Sequence, residues 1–321
     1  MSDQKTTELT FNDVVRAHNR IRDHIEYTGI ISNKKLDEEL GAKVFFKMED
    51  VQKTKSFKAR GAFSAILAYQ ELHGKLPEKI VAQSSGNHAQ GVAYAGKILD
   101  IPVLIYMANN VSLFKIAATK ILGAKIVLCE KRSEANRLAE EKQKEGYFFI
   151  HPSDNDDVIA GQGTATLEAL NEIDEVDAIF APCGGGGLVV GCYLASLNQT
   201  KIPKVFGCEP LKANDAAISL REGKIFSFED SPETVADGAK TLSISLRCFE
   251  YLKKTAGILE IPEEQIIYWR ERVREVLNHK IELTSALAVA GVAQYMKKNP
   301  QLENQKFLVI ISGGNFSGYV F

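Results

Sequence analysis

Net charge is almost absent from this chain: 39 Lys and Arg stand against 41 Asp and Glu in 321 residues. That balance gives no basis for a polyanion-binding surface, and no DNA- or RNA-binding motif is present. No apolar run reaches transmembrane length, and the N-terminus is polar and acidic, unlike a signal peptide. A cytoplasmic enzyme with no nucleic-acid or membrane partner is the expectation. Cysteine is scarce and unpatterned. Cys129, Cys183, Cys192, Cys208 and Cys248 are odd in number, lack metal-site spacing and lie in apolar segments, so they read as buried thiols, not disulfides or zinc ligands. Repeats, low-complexity tracts and long linkers are missing too. The length suffices for one large α/β domain or two smaller ones.

What is present is a regular alternation. Thr10-Phe11-Asn12-Asp13 can cap a helix through about Glu26. Residues 35–41 form a short helix and 42–47 a strand. A helix follows over 58–72. Strands at 79–83, 102–107, 125–129 and 147–150 then alternate with helices up to 99, at 112–122 and at 133–145. The second half keeps the same rhythm, with helix 158–173, strand 177–182, helix 187–198, strand 204–208 and helix 213–222. Residues 223–256 are less regular. Strand 257–260, helices 263–279 and 285–297, and strand 306–311 close the chain. Strands and helices of these lengths imply parallel βαβ units. The fold class is α/β, with two open, mainly parallel lobes and a cleft between them. Ligands of such sheets bind beyond the carboxyl ends of the strands.

Five stretches sit at those ends. Lys58 lies in Ser56-Phe57-Lys58-Ala59-Arg60-Gly61-Ala62, among small, apolar and aromatic groups. Burial there would depress its pKa and expose a neutral amine, as a Schiff-base lysine requires. A lysine near the start of an amphipathic helix running to Tyr69 is the plainer reading. Gly184, Gly185, Gly186 and Gly187 follow an apolar strand and open an apolar helix. Glycine costs backbone entropy there. The run makes sense where backbone N–H groups wrap an anion at a helix N-terminus, a phosphate above all; a tight strand-to-helix turn is the alternative. The position three after Gly186 is Val189, no acidic residue is spaced to hold a ribose, and there is no Walker lysine, so the phosphate is not that of NAD or ATP in its usual cradle. Ser84-Ser85-Gly86-Asn87-His88 is a second polar turn, read either as an N-cap or as a site for a carboxylate or ring hydroxyl.

Ser56-Phe57-Lys58-x-Arg60-Gly61-Ala62, Ser85 to Gly91, Ala160-Gly161-Gln162-Gly163-Thr164, Gly184 to Gly187 and Ser312-Gly313-Gly314-Asn315 occur in one order. Together they resemble the fold-type II (tryptophan synthase β-like) pyridoxal-phosphate enzymes, and within them the threonine/serine dehydratase and serine racemase family. The resemblance runs from about residue 10 to 315. It implies a large cofactor domain, 1–68 with 152–321, and a small substrate-gating domain, 69–151. Pyridoxal 5'-phosphate would be held covalently by Lys58, with Phe57 beside its ring. Asn87 would meet the ring hydroxyl, Gly184 to Gly187 the phosphate and Ser312 the pyridine nitrogen. Ser84, Asn87 and His88 would take the substrate carboxylate. The reaction would be loss of the Cα proton and β-hydroxyl from L-serine or L-threonine, giving a 2-oxo acid and ammonia.

Ser85 resembles the racemase branch, whose hydroxyl serves the face of Cα opposite the lysine. The same branch carries a divalent cation. Glu209, the carbonyl of Ala213 and Asp215 match its pattern Glu-Pro-x-x-Ala-x-Asp, and oxygen ligands suit Mg²⁺ or Ca²⁺. Alone, two carboxylates at a helix start would read as a cap. Glu282-Leu283-Thr284-Ser285-Ala286 departs from the family's Glu-Pro-x-Ala-Gly or Glu-Gly-Ala-Gly and adds two hydroxyls. The branch's dicarboxylate-binding arginine aligns with Asn136, with Arg132 and Arg137 nearby, which leaves hydroxyaspartate open as a substrate. A dehydratase, a racemase with side elimination and a non-catalytic amino-acid-binding protein are the three functions considered; intact Lys58 argues against the third. Relatives are commonly homodimers, and the apolar face of the first helix is compatible with that.

Overall fold

Many of the short apolar runs end at glycine, serine, asparagine or proline, and these boundaries become strand ends and helix starts. The computed structural model describes residues 8–109 and 111–315. Among them the strands are β1 (Ile30–Ile31), β2 (Lys43–Met48), β3 (Ile80–Gln83), β4 (Val103–Ala108), β5 (Lys125–Cys129), β6 (Phe148–Phe149), β7 (Ala178–Pro182), β8 (Lys204–Pro210), β9 (Gly257–Ile261) and β10 (Lys306–Ile311). The helices are α1 (Phe11–Ile21), α2 (Lys34–Leu40), α3 (Lys58–His73), α4 (Asn87–Ile98), α5 (Leu113–Ile121), α6 (Arg132–Lys144), α7 (Asp156–Glu172), α8 (Gly187–Ser196), α9 (Asp215–Glu222), α10 (Leu246–Leu252), α11 (Glu263–Leu277) and α12 (Leu283–Lys298).

Two sheets result. One has the order β1-β2-β10-β7-β8-β9, the other β5-β4-β3-β6. Every pairing is parallel except β1 with β2. Central β7 and β3 are buried along their whole length, as parallel strands covered on both faces must be. On one face of the larger sheet, Ile179, Leu308 and Ile310 pack with Val189 of α8 and Leu167 of α7. On the other, Phe180, Phe206 and Phe307 meet Leu287 of α12 and Trp269 of α11. The smaller sheet sets Ile80 and Ile105 against Phe63 of α3 and Val92 of α4, and Val81 and Leu104 against Ala135 of α6.

The α/β class and the alternation are as read from the sequence, and most boundaries fall within two residues of the predicted ones. Three points differ. First, α1 ends at Ile21, not near Glu26. His24 stacks on Phe63 at 5.1 Å, and Gln52 hydrogen-bonds both backbone groups of Glu26, so tertiary contacts take these residues off the helix. Second, the irregular stretch 223–256 holds a single 3₁₀ turn, Asp237–Ala239, and α10, whose first turn is capped by Ser245. Third, the apolar face of α1 is covered within the chain: Val14, Ala17 and Ile21 are fully buried. It gives no support to a dimer. All five cysteines are buried and free, as expected. No helix of the described residues is long and apolar enough to cross a membrane.

Candidate active site

Lys58 is the first residue of α3, and the chain fixes it from three sides. Phe57 N–H donates to the Ser312 carbonyl at 3.1 Å, and Ser56 bridges Gly313. Two residues further on, Arg60 is fully buried. Its guanidinium forks onto Glu49 (2.7 and 2.8 Å) and Glu168 (2.7 and 2.8 Å), while Lys47 Nζ meets Glu168 at 2.7 Å. Two cations thus face two anions in a closed network that ties α3 to β2 and α7. Losing one partner would leave a buried charge, at a cost of about 3–5 kcal/mol.

Glycines set the third constraint. A Cβ on Gly91 would lie 2.9 Å from the Lys58 carbonyl carbon, one on Gly161 2.7 Å from the Arg60 carbonyl oxygen, and one on Gly163 2.6 Å from the Gly191 carbonyl oxygen. Only glycine allows such backbone approach. The Gly161-Gln162-Gly163 motif therefore spaces α7 against α3 and α8, and Gly91 clamps α4 onto the lysine's own backbone.

Lys58 Nζ donates to the Pro152 carbonyl at 2.8 Å and lies 4.9 Å from the centroid of the Phe57 ring. Burial pushes its pKa down to about 8, which places a neutral, nucleophilic amine within reach of ordinary pH. It lines a cavity of about 400 Å³ together with Ser84 to His88, Gly184 to Gly187 and Ser312. The stretches that the resemblance assigns to cofactor and substrate therefore meet in one space.

The glycine run turns between β7 and α8. Gly186 has φ +86°, and no side chain caps α8, so the N–H groups of its first turn remain for an anion. A Cβ on Gly185 would collide with Ser153 Oγ, and one on Gly184 would sit 3.1 Å from the Gly238 carbonyl oxygen. Asn87, at the start of α4, donates to Glu282 at 3.0 and 3.1 Å and accepts from Asn315 Nδ2 at 2.8 Å. Ser312 Oγ lies 3.1 Å from Ser285 Oγ, which also donates to the Gly313 carbonyl and accepts from its N–H. Ser285 so holds Ser312 in place. Thr284 Oγ1 accepts from Gly238 N–H. Both departures from the family pattern are used locally.

His88 is engaged differently from its neighbours. Its Nε2 lies 2.9 Å from the Ile150 carbonyl, and burial with nearby Lys58 pushes its pKa down to about 3. The imidazole is neutral, so a carboxylate here would be met by backbone N–H groups at the start of α4 and by Ser84, not by a charged ring. Ser84 Oγ already accepts from Gly86 N–H. Among the described residues no side-chain hydrogen bond commits Ser85.

Glu209 is the penultimate residue of β8 and Asp215 starts α9, outside the cavity lining. Both are fully buried, as is Ala213. Glu209 accepts from the N–H groups of Ala216 and Ala217, which is the capping role. Asp215 accepts from Thr241 through Oδ1, whereas its Oδ2 is buried with no partner. Burial raises both acids, Asp215 to about 7 and Glu209 well above its usual range, the latter also by the nearby Asp215 charge. An orphaned carboxylate oxygen beside a second acid fits a divalent cation. No group of three His, Cys, Asp or Glu with metal-ligand geometry is found among the described residues.

Several lining residues were not singled out from the sequence. Glu282 was named only as the first residue of the 282–286 motif, its contact with Asn87 coming through the fold, and Asp237 and Gly238 lie in the stretch read as irregular. Ser153 and Asp154, whose N–H groups donate to His151 Nδ1, follow a strand and precede α7, so the strand-end rule applied to Pro152-Ser153-Asp154 marks them.

Glu282 carries a pH prediction. Burial and the Asp237 charge push its pKa up to about 8. The folded protein therefore holds this proton up to about pH 8, while the unfolded chain releases it above about 4.3. The unfolded state gains from ionisation in that window, so this group lowers stability as pH rises through it and no further above it. Glu282→Gln is expected to raise Tm relative to the parent, by a margin that grows from pH 5 to 8 and then levels. The limiting slope is about 1.4 kcal/mol per pH unit. A margin independent of pH in thermal melts would mean that Glu282 is ionised throughout.

The same residues place the chain among known proteins. The family model for "Pyridoxal-phosphate dependent enzyme" matches residues 21–313. An L-threo-3-hydroxyaspartate ammonia-lyase of Saccharomyces cerevisiae is 35% identical over 95% of this chain and 93% of its own. A serine racemase of Schizosaccharomyces pombe is 36% identical over 95% and 94%. Among solved structures, a threonine deaminase from T.th. superposes with a TM-score of 0.90 at 36% identity, over 97% of this chain and 100% of that one. With Lys58, the glycine run and Asn87 gathered in one cavity, this chain belongs to the pyridoxal-phosphate dependent enzymes, among the fold-type II lyases and racemases.

Proposed function

We propose that the protein catalyses β-elimination of a hydroxy-amino acid, L-serine or L-threonine, to a 2-oxo acid and ammonia. The observation that carries this is Lys58: a desolvated amine without a carboxylate partner, in the same cavity as an uncapped helix start. The residues fit pyridoxal phosphate. Lys58 would hold it covalently, Phe57 would flank the ring, Asn87 would meet the ring hydroxyl, Gly184 to Gly187 the phosphate and Ser312 the pyridine nitrogen. Bound there, the cofactor would supply the electron sink that acidifies the Cα–H bond. Lys58 would take the Cα proton on one face. The β-hydroxyl leaves as water, and the enamine then hydrolyses, so serine yields pyruvate and ammonia with no net change in water. Ser84, Asn87 and the backbone of His88 would hold the substrate carboxylate.

Amino-acid racemisation, with elimination as a side reaction, is the second reading. Ser85 favours it, because its hydroxyl lines the cavity uncommitted. The two-sheet architecture supports a division into a cofactor lobe, 1–68 with 152–321, and a gating lobe, 69–151. A homodimer and a cytoplasmic setting rest on the resemblance and the composition alone. The orphaned oxygen of Asp215 supports a Mg²⁺ or Ca²⁺ site with Glu209 and the Ala213 carbonyl. At a hundred times its Kd, the cation is expected to add about 2.7 kcal/mol to stability, and Asp215→Asn to erase that gain; melts that ignore chelator and cation alike would remove the site.

The test is direct. Purified protein should show a visible absorption band that borohydride removes, with reduced cofactor on the Lys58 peptide and 2-oxo acid formed from L-serine or L-threonine. A colourless protein that takes up no pyridoxal phosphate would defeat the proposal.

A further inference from the structure

Ser285 and Ser312 are neighbouring hydroxyls whose protons can be counted. Ser285 lies in the first turn of α12 and is fully buried; Ser312 follows β10 and lines the cavity. Three groups surround Ser285 Oγ. The Gly313 carbonyl oxygen is 2.8 Å away, the Gly313 nitrogen 2.9 Å and Ser312 Oγ 3.1 Å. A hydroxyl has one proton and two lone pairs. The carbonyl has no proton to give, so two oxygens 2.8 Å apart attract each other only if the Ser285 proton lies between them. The Gly313 N–H takes one lone pair of Ser285. The other faces Ser312, and a hydrogen bond there uses the Ser312 proton.

That count turns Ser312 around. Its proton goes to Ser285, so it offers the cavity lone pairs alone. Without Ser285 the same hydroxyl could donate. The titratable groups around this corner are Glu282, whose Oε1 is 2.8 Å from where a Gly313 Cβ would stand, Lys58 at the start of α3, and Asp50, which meets His279 on the far side of Gly314. Among the described residues none of them is hydrogen-bonded to either hydroxyl, so the two serines fix each other's direction. Ser285 also stands where the pattern Glu-Pro-x-Ala-Gly has alanine, which could not accept this proton. The constraint therefore belongs to this chain.

We infer that Ser285 is a positioning residue: by taking the Ser312 proton it makes Ser312 an acceptor, so that the pyridine nitrogen bound against Ser312 is held in its protonated form. This rests on the reading that places the cofactor in this cavity with its nitrogen at Ser312. A hydrogen bond that only the protonated nitrogen can make favours that form. A protonated ring is the stronger electron sink, so Ser285 would ease removal of the Cα proton without touching substrate or cofactor.

The test reads the nitrogen itself. Holoenzyme is reconstituted with ring-¹⁵N pyridoxal phosphate, and the ¹⁵N resonance is followed against pH in the parent, Ser285→Ala, Ser312→Ala and the double variant. The parent should show the protonated resonance at neutral pH. Ser285→Ala should lower the pKa of the nitrogen by about one unit, the size of one net hydrogen bond. Ser285→Thr, which keeps the hydroxyl, should restore the parental value. Ser285→Ala also leaves the buried Gly313 N–H without its partner, so its Tm should fall; the double variant separates that loss from the effect on the nitrogen. If Ser285 acts through Ser312, removing it in the Ser312→Ala background should leave the nitrogen where Ser312→Ala alone puts it. The same shift in both backgrounds would make Ser285 a structural link between α12 and Gly313 and overturn the inference. An unprotonated nitrogen in the parent, or a parental pKa in Ser285→Ala while Ser312→Ala moves it, would overturn it as well. A parental resonance in Ser312→Ala would refute the placement of Ser312 at the nitrogen, and this inference with it, while leaving the elimination reading intact.

Discussion

Lys58→Ala is expected to abolish turnover of every hydroxy-amino acid, by roughly 10⁴-fold or more, while leaving the protein folded. The activity loss follows from chemistry that only a neutral amine at this place supplies: the covalent hold on the cofactor and a base on one face of Cα. Lys115 also lines the cavity, but Asp237 engages it, so it is no substitute. The retained fold follows from the setting. Lys58 has no carboxylate to strand when it goes, and the Pro152 carbonyl it contacts still accepts from Gln162 Nε2 at 3.2 Å. Removing a desolvated amine costs little and relieves the burial that lowers its pKa. Arg60, two residues away, is the contrast: truncating it would strand Glu49 and Glu168 in the core and unfold the protein. The variant should be colourless to borohydride, melt within a few degrees of the parent and show no pyruvate from L-serine. A Lys58→Ala protein that still turned over serine would overturn the functional reading.

That pair of neighbours also shows where sequence reasoning works and where it stops. Lys58 and the run Gly184 to Gly187 were legible because their chemistry needs particular residue types at a strand end or helix start, and such boundaries are local. Arg60, Gly161 and Gly163 stood out as motif members, yet their role was not readable. It depends on which backbone and which acids come within 3 Å, and Glu168 lies 108 residues from Arg60. Glu282 meets Asn87 across 195 residues; the resemblance set its motif near the cofactor ring, but nothing in the local pattern announces that contact. His88 lines the cavity, but its neutral state is set by burial and the nearby Lys58 charge, which outweigh the Ile150 carbonyl and are invisible in the local sequence. The apolar stripe of α1 was compatible with a partner subunit, and α7 and α3 cover it within the chain, because periodicity reports that a face is buried without saying by what. Arg132 and Arg137 could not be separated by alignment alone. The turn of α6 decides, putting one at the cavity and the other against Glu141.

Ser85→Ala is expected to separate the two reactions that one cavity could run: racemisation should fall by about 10³-fold or more, and elimination from L-serine by less than about 10-fold. Elimination needs a base on a single face of Cα, and Lys58 provides it. Racemisation needs proton delivery on the other face as well, and a hydroxyl lining the cavity without a committed partner is the group available. Because no side-chain hydrogen bond of the described residues holds Ser85, its loss strands nothing, and Tm should be unchanged. The change therefore reads chemistry rather than folding. Ser84 is a poor replacement, since its oxygen accepts from Gly86 N–H and shapes the turn before α4. Chiral analysis of the products gives the answer alongside the 2-oxo acid assay. D-serine formed at the parental rate would remove the second-base role from Ser85. A parallel fall in both reactions would instead place its hydroxyl on the substrate carboxylate, where it would serve binding on either path.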